Sequence, residues 1–561
     1  MKMNRRNFLS ALAAATAVGA ATPALAGKTA HGRFYPKNWT PHPDDLLPGD
    51  SFRHGVASGD PLTSRVILWT RVTPKGRGRF IKVKVKVATD QTMQNLVGVY
   101  NAVAAQDRDY TVKVDARKLM PDTTYYYQFY AQGEASPIGR TRTLPVDTDR
   151  VRLGLASCSN FPFGFFGAYE RMAYQHDLNA IVHVGDYIYE YANGEYGDGT
   201  GLGRIPSPDR ETVELADYRW RHGQYKSDPQ LKEAHRQHPW IIVWDDHEST
   251  NDSWKDGAEN HDPSEGDWEL RKMASRQAWF EWLPVRDTVG MRENSGRIFR
   301  RYQFGNLAQL NMLDTRLFGR EQQVPALFDF TTEQLLVDPV ELVTVYLPEL
   351  ARADRQLLGA EQEQWLYEEL AAAQALNTKW QVLGQQIMMG QLAPEVQPGL
   401  RLPLNTDAWD GYPAARARLL GTMAAQGIGN TIVLTGDFHS SWCNDIALDP
   451  YNPLSYDPAT GQGSQAVEFV CPGITSPFFT DPDPVAQKTL EQTALFLNPH
   501  TKYIDVENNG YVVIDIDSSR TRAEWYHLDS VTDPTSSETL GAAVEVTDGT
   551  NHAVIVEGGV S

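Results

Sequence analysis

The chain is short of cysteine, of positive charge and of long apolar runs. Three cysteines stand among 561 residues: Cys158, Cys443 and Cys471. Three thiols cannot all pair within one chain, so in an oxidising compartment at least one is left over. Lys and Arg number 52 against 71 Asp and Glu, a net charge of −19. Residues 1–26 hold Lys2, Arg5 and Arg6 and no acid, so a chain without them carries −22. That excess argues against specific nucleic-acid binding and against non-specific attachment to DNA or anionic membranes. It suits carboxylate-rich metal sites and an exported, soluble enzyme. Beyond the N-terminus no stretch reaches bilayer-spanning length, so the mature chain is expected to have no transmembrane segment. Internal repeats are missing. So is any serine or histidine nucleophile at a strand-to-helix elbow, which disfavours a covalent intermediate.

What is present begins with an address. Arg5-Arg6 precede Phe8-Leu9, a weakly apolar Ala-rich stretch follows, and Ala24-Leu25-Ala26 has the form of a cleavage site. Residues 1–26 look like a twin-arginine signal. The twin-arginine export machinery is therefore an expected partner, and the expected location is periplasmic or secreted. Residues 27–50, rich in Pro and His, read as an extended lead-in.

At 561 residues the chain is too long for one core. Residues 51–145 alternate with period two in short runs such as "IKVKVKVAT" and "TTYYYQFYA". They predict a small N-terminal β-sandwich. From 150 to 530 apolar runs alternate with helical stretches, which predicts an α/β catalytic domain. The acidic segment 321–356 reads as an insertion or lid, and residues 531–561 carry no helical stripe and stay unassigned.

The apolar runs of the second region share one habit: each ends in polar donors. The tips read Ser157-Cys158, Gly185-Asp186, Asp245-Asp246-His247-Glu248, Asp314-Thr315-Arg316, Gln385-Gln386 and Gly436-Asp437-Phe438-His439. In α/β sheets sites form beyond the carboxyl ends of strands. Pooled there, these groups are metal ligands of mixed hardness, and a shared carboxylate can bridge two cations. In "HVGDYIYEY" (183–191) Gly185 permits a tight turn before Asp186. Tyr189, three residues on, can swing its hydroxyl back beside that carboxylate. Losing a phenol proton near neutrality takes a strongly charged cation, which ferric iron satisfies and magnesium does not.

The "GDYIY" block resembles the GDxxY motif of purple acid phosphatases. More of the chain resembles PhoD-like alkaline phosphatases. The blocks "FRHGVASGDPLTSRVILWTRVTP", "ASCSN", "HVGDYIYEY", "DYRWRHGQYKSDPQLKEAHRQHPWIIVWDDHESTND", "LDTR", "LGAEQEQWL" and "LTGDFHSSW" occur in order over residues 52–528. The resemblance implies a four-layer αββα metallophosphoesterase sandwich preceded by the small β-sandwich. It also implies ferric iron, Fe(3+), together with calcium, Ca(2+). Residue by residue, Cys158 resembles a thiolate iron ligand, Asp186 the bridge and Tyr189 the phenolate. Asn251 resembles an amide ligand that also faces phosphate. Asp437 and His439 would give one ligand to each metal. One of Asp245 and Asp246 is expected to bind calcium or hold a neighbour while the other orients His247. His247 is either the donor of a proton to the leaving oxygen or a supporting histidine. Arg316 either clamps phosphate or pairs with a local acid. Some relatives close the site with a C-terminal helix, which residues 531–561 do not suggest.

The expected reaction is hydrolysis of phosphodiesters and phosphomonoesters, a metal-held hydroxide attacking phosphorus in line. The expected role is phosphate scavenging. The alternative is a phospholipase D-like diesterase acting on lipid headgroups, with "FPFGFF" (161–166) as an aromatic surface rather than core. A protein that binds metal without catalysis would leave the export signal, the tyrosine step and the spare thiol without a shared cause.

Overall fold

A computed structural model describes residues 50–558 apart from 77, 288–295, 330–333 and 479–482. The expected signal and nearly all of the lead-in lie outside the described residues. Two large sheets dominate. One has ten strands, with Arg150–Ala156, Ala180–His183, Pro239–Ile242 and Val56–Leu62 lying parallel at its centre. The other has seven, with Ala308–Met312, Trp380–Gly384, Thr431–Thr435 and Ser464–Val470 parallel. Parallel strands need covering on both faces, which is why these runs read as continuous apolar blocks.

The covering is explicit in the apolar clusters. Ile432 and Leu434 share one cluster with Leu153, Ile181, Val512 and Trp525 of the ten-stranded sheet. Val433, between them, points the other way and joins Leu366, Leu370, Leu419 and Leu420 of helices Ala360–Ala375 and Pro413–Gln426. The period-two alternation of one strand thus ties sheet to sheet on one side and sheet to helices on the other. Helices Gly167–Ala173, Leu215–Ser227, Pro229–Gln237 and Trp268–Trp282 serve the ten-stranded sheet.

The N-terminal strands divide. Phe80–Ala88, Leu96–Ala105, Thr124–Ala131 and Gly139–Arg142 form a separate sheet. Its Val83, Val85, Val87, Tyr125, Tyr127 and Phe129 pack on Val56, Val66, Leu68 and Val112. Those partners belong to the ten-stranded sheet, so the two regions share a continuous hydrogen-bonded ladder. Alternation within each strand was readable from sequence; the long-range pairing of Ser58 with Pro239 and Gly59 with Trp240 was not.

Two segments acquire structure the sequence left open. Residues 538–547 and 553–558 are strands extending the ten-stranded sheet at its far edge. Segment 321–356 holds a short hairpin and helical turns around Val324, Leu327, Leu342 and Leu350, packed with Leu402. All three cysteines are unpaired and buried.

Candidate metal centre

The parallel strands of both sheets deliver their tips to one place. Arg150–Ala156 leads to Cys158, Ala180–His183 to Asp186, Pro239–Ile242 to Asp245–His247, and Thr431–Thr435 to Asp437 and His439. Four of these residues hold left-handed backbone conformations: Cys158 (φ 60), Asp186 (φ 56), Asp437 (φ 61) and His439 (φ 55). Such conformations cost about 1–3 kcal/mol each for residues other than glycine and persist where surrounding structure enforces them. Gly185, at φ 115, is where a side chain is impossible: its Cβ would lie 2.3 Å from Asp245 Cβ. That close approach is what brings the Asp186 and Asp245 loops together.

Three groups of ligand atoms result, each with members within 4.8 Å of one another: Cys158, Asp186 and His439; Asp186, Asp246 and His247; and Asp245, Asp246 and Asp437. Asp186 and Asp246 each belong to two groups. The Tyr189 hydroxyl lies 2.9 Å from Asp186 Oδ2 and 3.2 Å from His439 Nε2, and accepts a 2.7 Å hydrogen bond from Ser476. The three-residue step in "GDYIY" therefore does return the phenol to the carboxylate.

The residues present fit cations. Asp186 Oδ1, Asp245 Oδ2 and Asp246 Oδ1 are buried and have no hydrogen-bond partner among the described residues. Burying a carboxylate oxygen with nothing on it is costly, and the same place gathers thiol, phenol and imidazole. Burial first, then the Asp186 carboxylate, push the Cys158 thiol and the Tyr189 phenol well above their usual ranges. Without a bound cation both stay protonated; direct coordination is what would ionise them.

Arg316 is fully buried and is spent on acids. Its guanidinium donates to Asp245, to Asp407 Oδ2 at 2.6 Å and to Asp437 Oδ1 at 2.7 Å. Of the two readings open for it, the pairing with local acid is the one in place. His247 donates through Nδ1 to Glu190 Oε2 at 2.7 Å, which leaves Nε2 as the ring nitrogen free to face the site. Burial alone would lower its pKa; Glu190, Asp246 and Asp186 outweigh that and raise it well above the usual imidazole value. Tyr189 stacks on its ring at 4.2 Å. Asn251 is held by its backbone N–H on Glu190 and by Nδ2 on Glu259 at 3.1 Å.

Sequence reasoning placed Glu248 at a strand tip without giving it a role and passed over Glu190, Asp407 and Tyr196, the other residues that hold this together. Glu248 accepts from the backbone N–H groups of Asp186 (3.0 Å), Tyr187 (2.7 Å) and Asp245 (2.8 Å), stapling two ligand loops with one carboxylate. Glu190 accepts from Thr250 and Asn251 besides facing His247. Asp407 joins Arg316 to Arg320. Tyr196 sits 3.3 Å from His439 Nδ1, backed by Phe163. The only available signal for the two glutamates was adjacency: Glu190 follows Tyr189, and Glu248 follows His247. The "FPFGFF" stretch is packed, with Phe166 fully buried and Arg204 stacked 3.7 Å over Phe161.

Known proteins match this chain closely. Residues 153–525 match the sequence model described as PhoD-like phosphatase, and residues 41–145 match its N-terminal domain. The chain belongs to the PhoD-like phosphatase family. Alkaline phosphatase D of Bacillus subtilis (strain 168) is 33% identical over 494 residues, covering 86% of this chain and 78% of that protein. A solved structure described as PhoD is 31% identical and superposes with a TM-score of 0.78, over 93% of this chain and 94% of the other. As a PhoD-like phosphatase the chain is a phosphoric ester hydrolase with a mixed α/β fold of several sheets. Among the described residues no helix is long and apolar enough to cross a membrane.

Proposed function

We propose that this phosphatase is exported through the twin-arginine pathway and hydrolyses both phosphodiesters and phosphomonoesters at a two-metal centre, for phosphate scavenging. The observation that carries the metal reading is the set of buried oxygens on Asp186, Asp245 and Asp246 that accept no hydrogen bond, beside Cys158, Tyr189 and His439. Cys158, Asp186, Tyr189 and His439 would hold Fe(3+); Asp186, Asn251, Asp437 and one of Asp245 and Asp246 would hold Ca(2+). When bound, the cations activate water and neutralise charge on the phosphoryl oxygens. The chain's own groups do the rest. Glu190 fixes the His247 ring so that Nε2 hands a proton to the departing alcohol as its P–O bond breaks. Arg316 balances the acids around it and holds Asp245 and Asp437 in place. The shared clusters favour a four-layer αββα arrangement for the catalytic domain.

The test compares three substrates: a bis-aryl phosphate, a mono-aryl phosphate and phosphatidylcholine. The proposal expects turnover of both aryl esters, and loss of both in Asp186→Asn. Preference for phosphatidylcholine over both would replace it with the lipid-headgroup reading. Full activity in iron-free protein would remove the iron assignment while leaving the hydrolase.

A further inference from the structure

The net charge of −19, which argues against attachment of the chain as a whole to an anionic membrane, hides a division. Residues 51–145 hold 15 Lys and Arg against 7 Asp and Glu, a surplus of +8, so the remainder carries −27. Charge asymmetry of this size within one chain points to an anionic partner for the basic part. The structure places part of that surplus on one surface. In strand Phe80–Ala88, Val83, Val85 and Val87 face the sandwich core, so Phe80, Lys82, Lys84 and Lys86 face outward. The neighbouring strand sets Val103 opposite Lys82 and Val99 opposite Lys86. Val99 and Val103 are 54% and 53% exposed and Phe80 is 68% exposed. Lys82 and Lys84 make no ion pair among the described residues. Four of the sheet's five strands contain no acid; the fifth, Glu134–Ala135, brings Glu134, which is ion-paired with Lys75.

We propose that this outward sheet face docks the protein on an anionic lipid surface. A row of ammonium groups flanked by exposed valines and a phenylalanine offers both terms of interfacial binding: attraction to headgroup charge and shallow burial of apolar side chains. A soluble polyanion would use the lysines and leave the apolar residues without a role, which is why the lipid surface is favoured. The opposite side of this sheet packs on Val56, Val66, Leu68 and Val112, on strands of the same basic segment that form one edge of the ten-stranded sheet. At physiological salt, charges more than about 8 Å apart through solvent are largely screened, so the acidic body need not oppose contact.

The test is co-sedimentation of the full chain with vesicles of 30:70 phosphatidylglycerol and phosphatidylcholine, against pure phosphatidylcholine, at physiological and high salt. At physiological salt about tenfold or greater preference for the anionic vesicles is expected, since each basic residue near such a surface adds several-fold in affinity. Raising the salt should abolish it. The triple variant Lys82→Glu/Lys84→Glu/Lys86→Glu should lose the preference, and Val99→Ser/Val103→Ser should weaken binding by roughly threefold. Aryl phosphate hydrolysis in solution should be unchanged in both. If the charge reversal fails to fold, the Lys→Gln triple variant takes its place. Equal binding to both vesicle types overturns the proposal. So does a triple variant that binds like the parent, or capture by long-chain polyphosphate with none by vesicles.

Discussion

Asp60 and Asp186 are both buried aspartates with left-handed backbones, at φ 45 and φ 56. Their surroundings differ in one respect. Around Asp60, at the junction of the N-terminal and catalytic regions, both carboxylate oxygens are used: Arg300 and Tyr302 donate to Oδ1 and the Arg286 backbone N–H to Oδ2. The Arg286 guanidinium takes the Asp60 carbonyl as well. Around Asp186 three carboxylates each keep an oxygen that accepts no hydrogen bond among the described residues, Asp246 Oδ1 having only a 3.6 Å ion pair with Arg316. One region satisfies its buried charge internally, and the other gathers carboxylate oxygens that accept no hydrogen bond beside thiol, phenol and imidazole, which is the chemistry of a cation site.

Substitutions should separate the two. The largest effect is expected from Asp186→Asn, which should lower aryl phosphate turnover by about 10⁴-fold, on the scale of losing a central catalytic group. Bound metal should fall with it while circular dichroism stays native. Asp60→Asn should do the reverse. Removing one partner from a buried ion pair costs about 3–5 kcal/mol, read as a lowered denaturation midpoint, with turnover per folded molecule near the parent's. Equal damage from both variants to both properties would erase the distinction.

Glu248→Gln sharpens it further. Gln keeps the volume but cannot accept from three backbone N–H groups with two oxygens, so both ligand loops loosen. Turnover should drop by about 10²-fold, the usual scale for loss of a residue that orients metal ligands, with metal affinity falling alongside. Unchanged metal affinity would assign Glu248 to folding alone. The smallest effect is pH dependence at the junction. Burial alone would raise the Asp60 pKa, but Arg300, Tyr302 and Arg286 hold it below 3.8. A depressed carboxylate contributes stability above its unfolded pKa and loses it as pH falls through the folded value. Acid titration of stability should therefore flatten below pH 4 in Asp60→Asn relative to the parent.

Much of the site was legible because its ligands sit at strand tips. A run such as "NAIVHVGD" declares both its burial and its end, and the tips of parallel strands gather by topology. Cys158, Asp186, Tyr189, Asp437 and His439 could be picked out for that reason. Glu190 and Glu248 escaped because their work is done on backbone N–H groups and a ring nitrogen, contacts that leave no trace in residue type or spacing. Arg316 was visible, but its choice between phosphate and acid depends on Asp407, which lies 91 residues away. In the fold, alternation marked the N-terminal strands, yet nothing local indicated that Val56–Leu62 would pair with Pro239–Ile242. Strand 553–558 was missed because an edge strand carries a weak pattern; strand 538–547, paired on both sides, was missed because an irregularity at Ala543/Val544 buries Ala542, Ala543 and Val544 in a row and breaks its alternation.

The most direct measurement is the metal content of never-chelated protein, taken together with its visible spectrum, for the parent and for Cys158→Ala. The account predicts two bound cations per chain in the parent, iron among them with a thiolate or phenolate absorption band, and loss of iron and band in the variant. A metal-free parent with full turnover would contradict it.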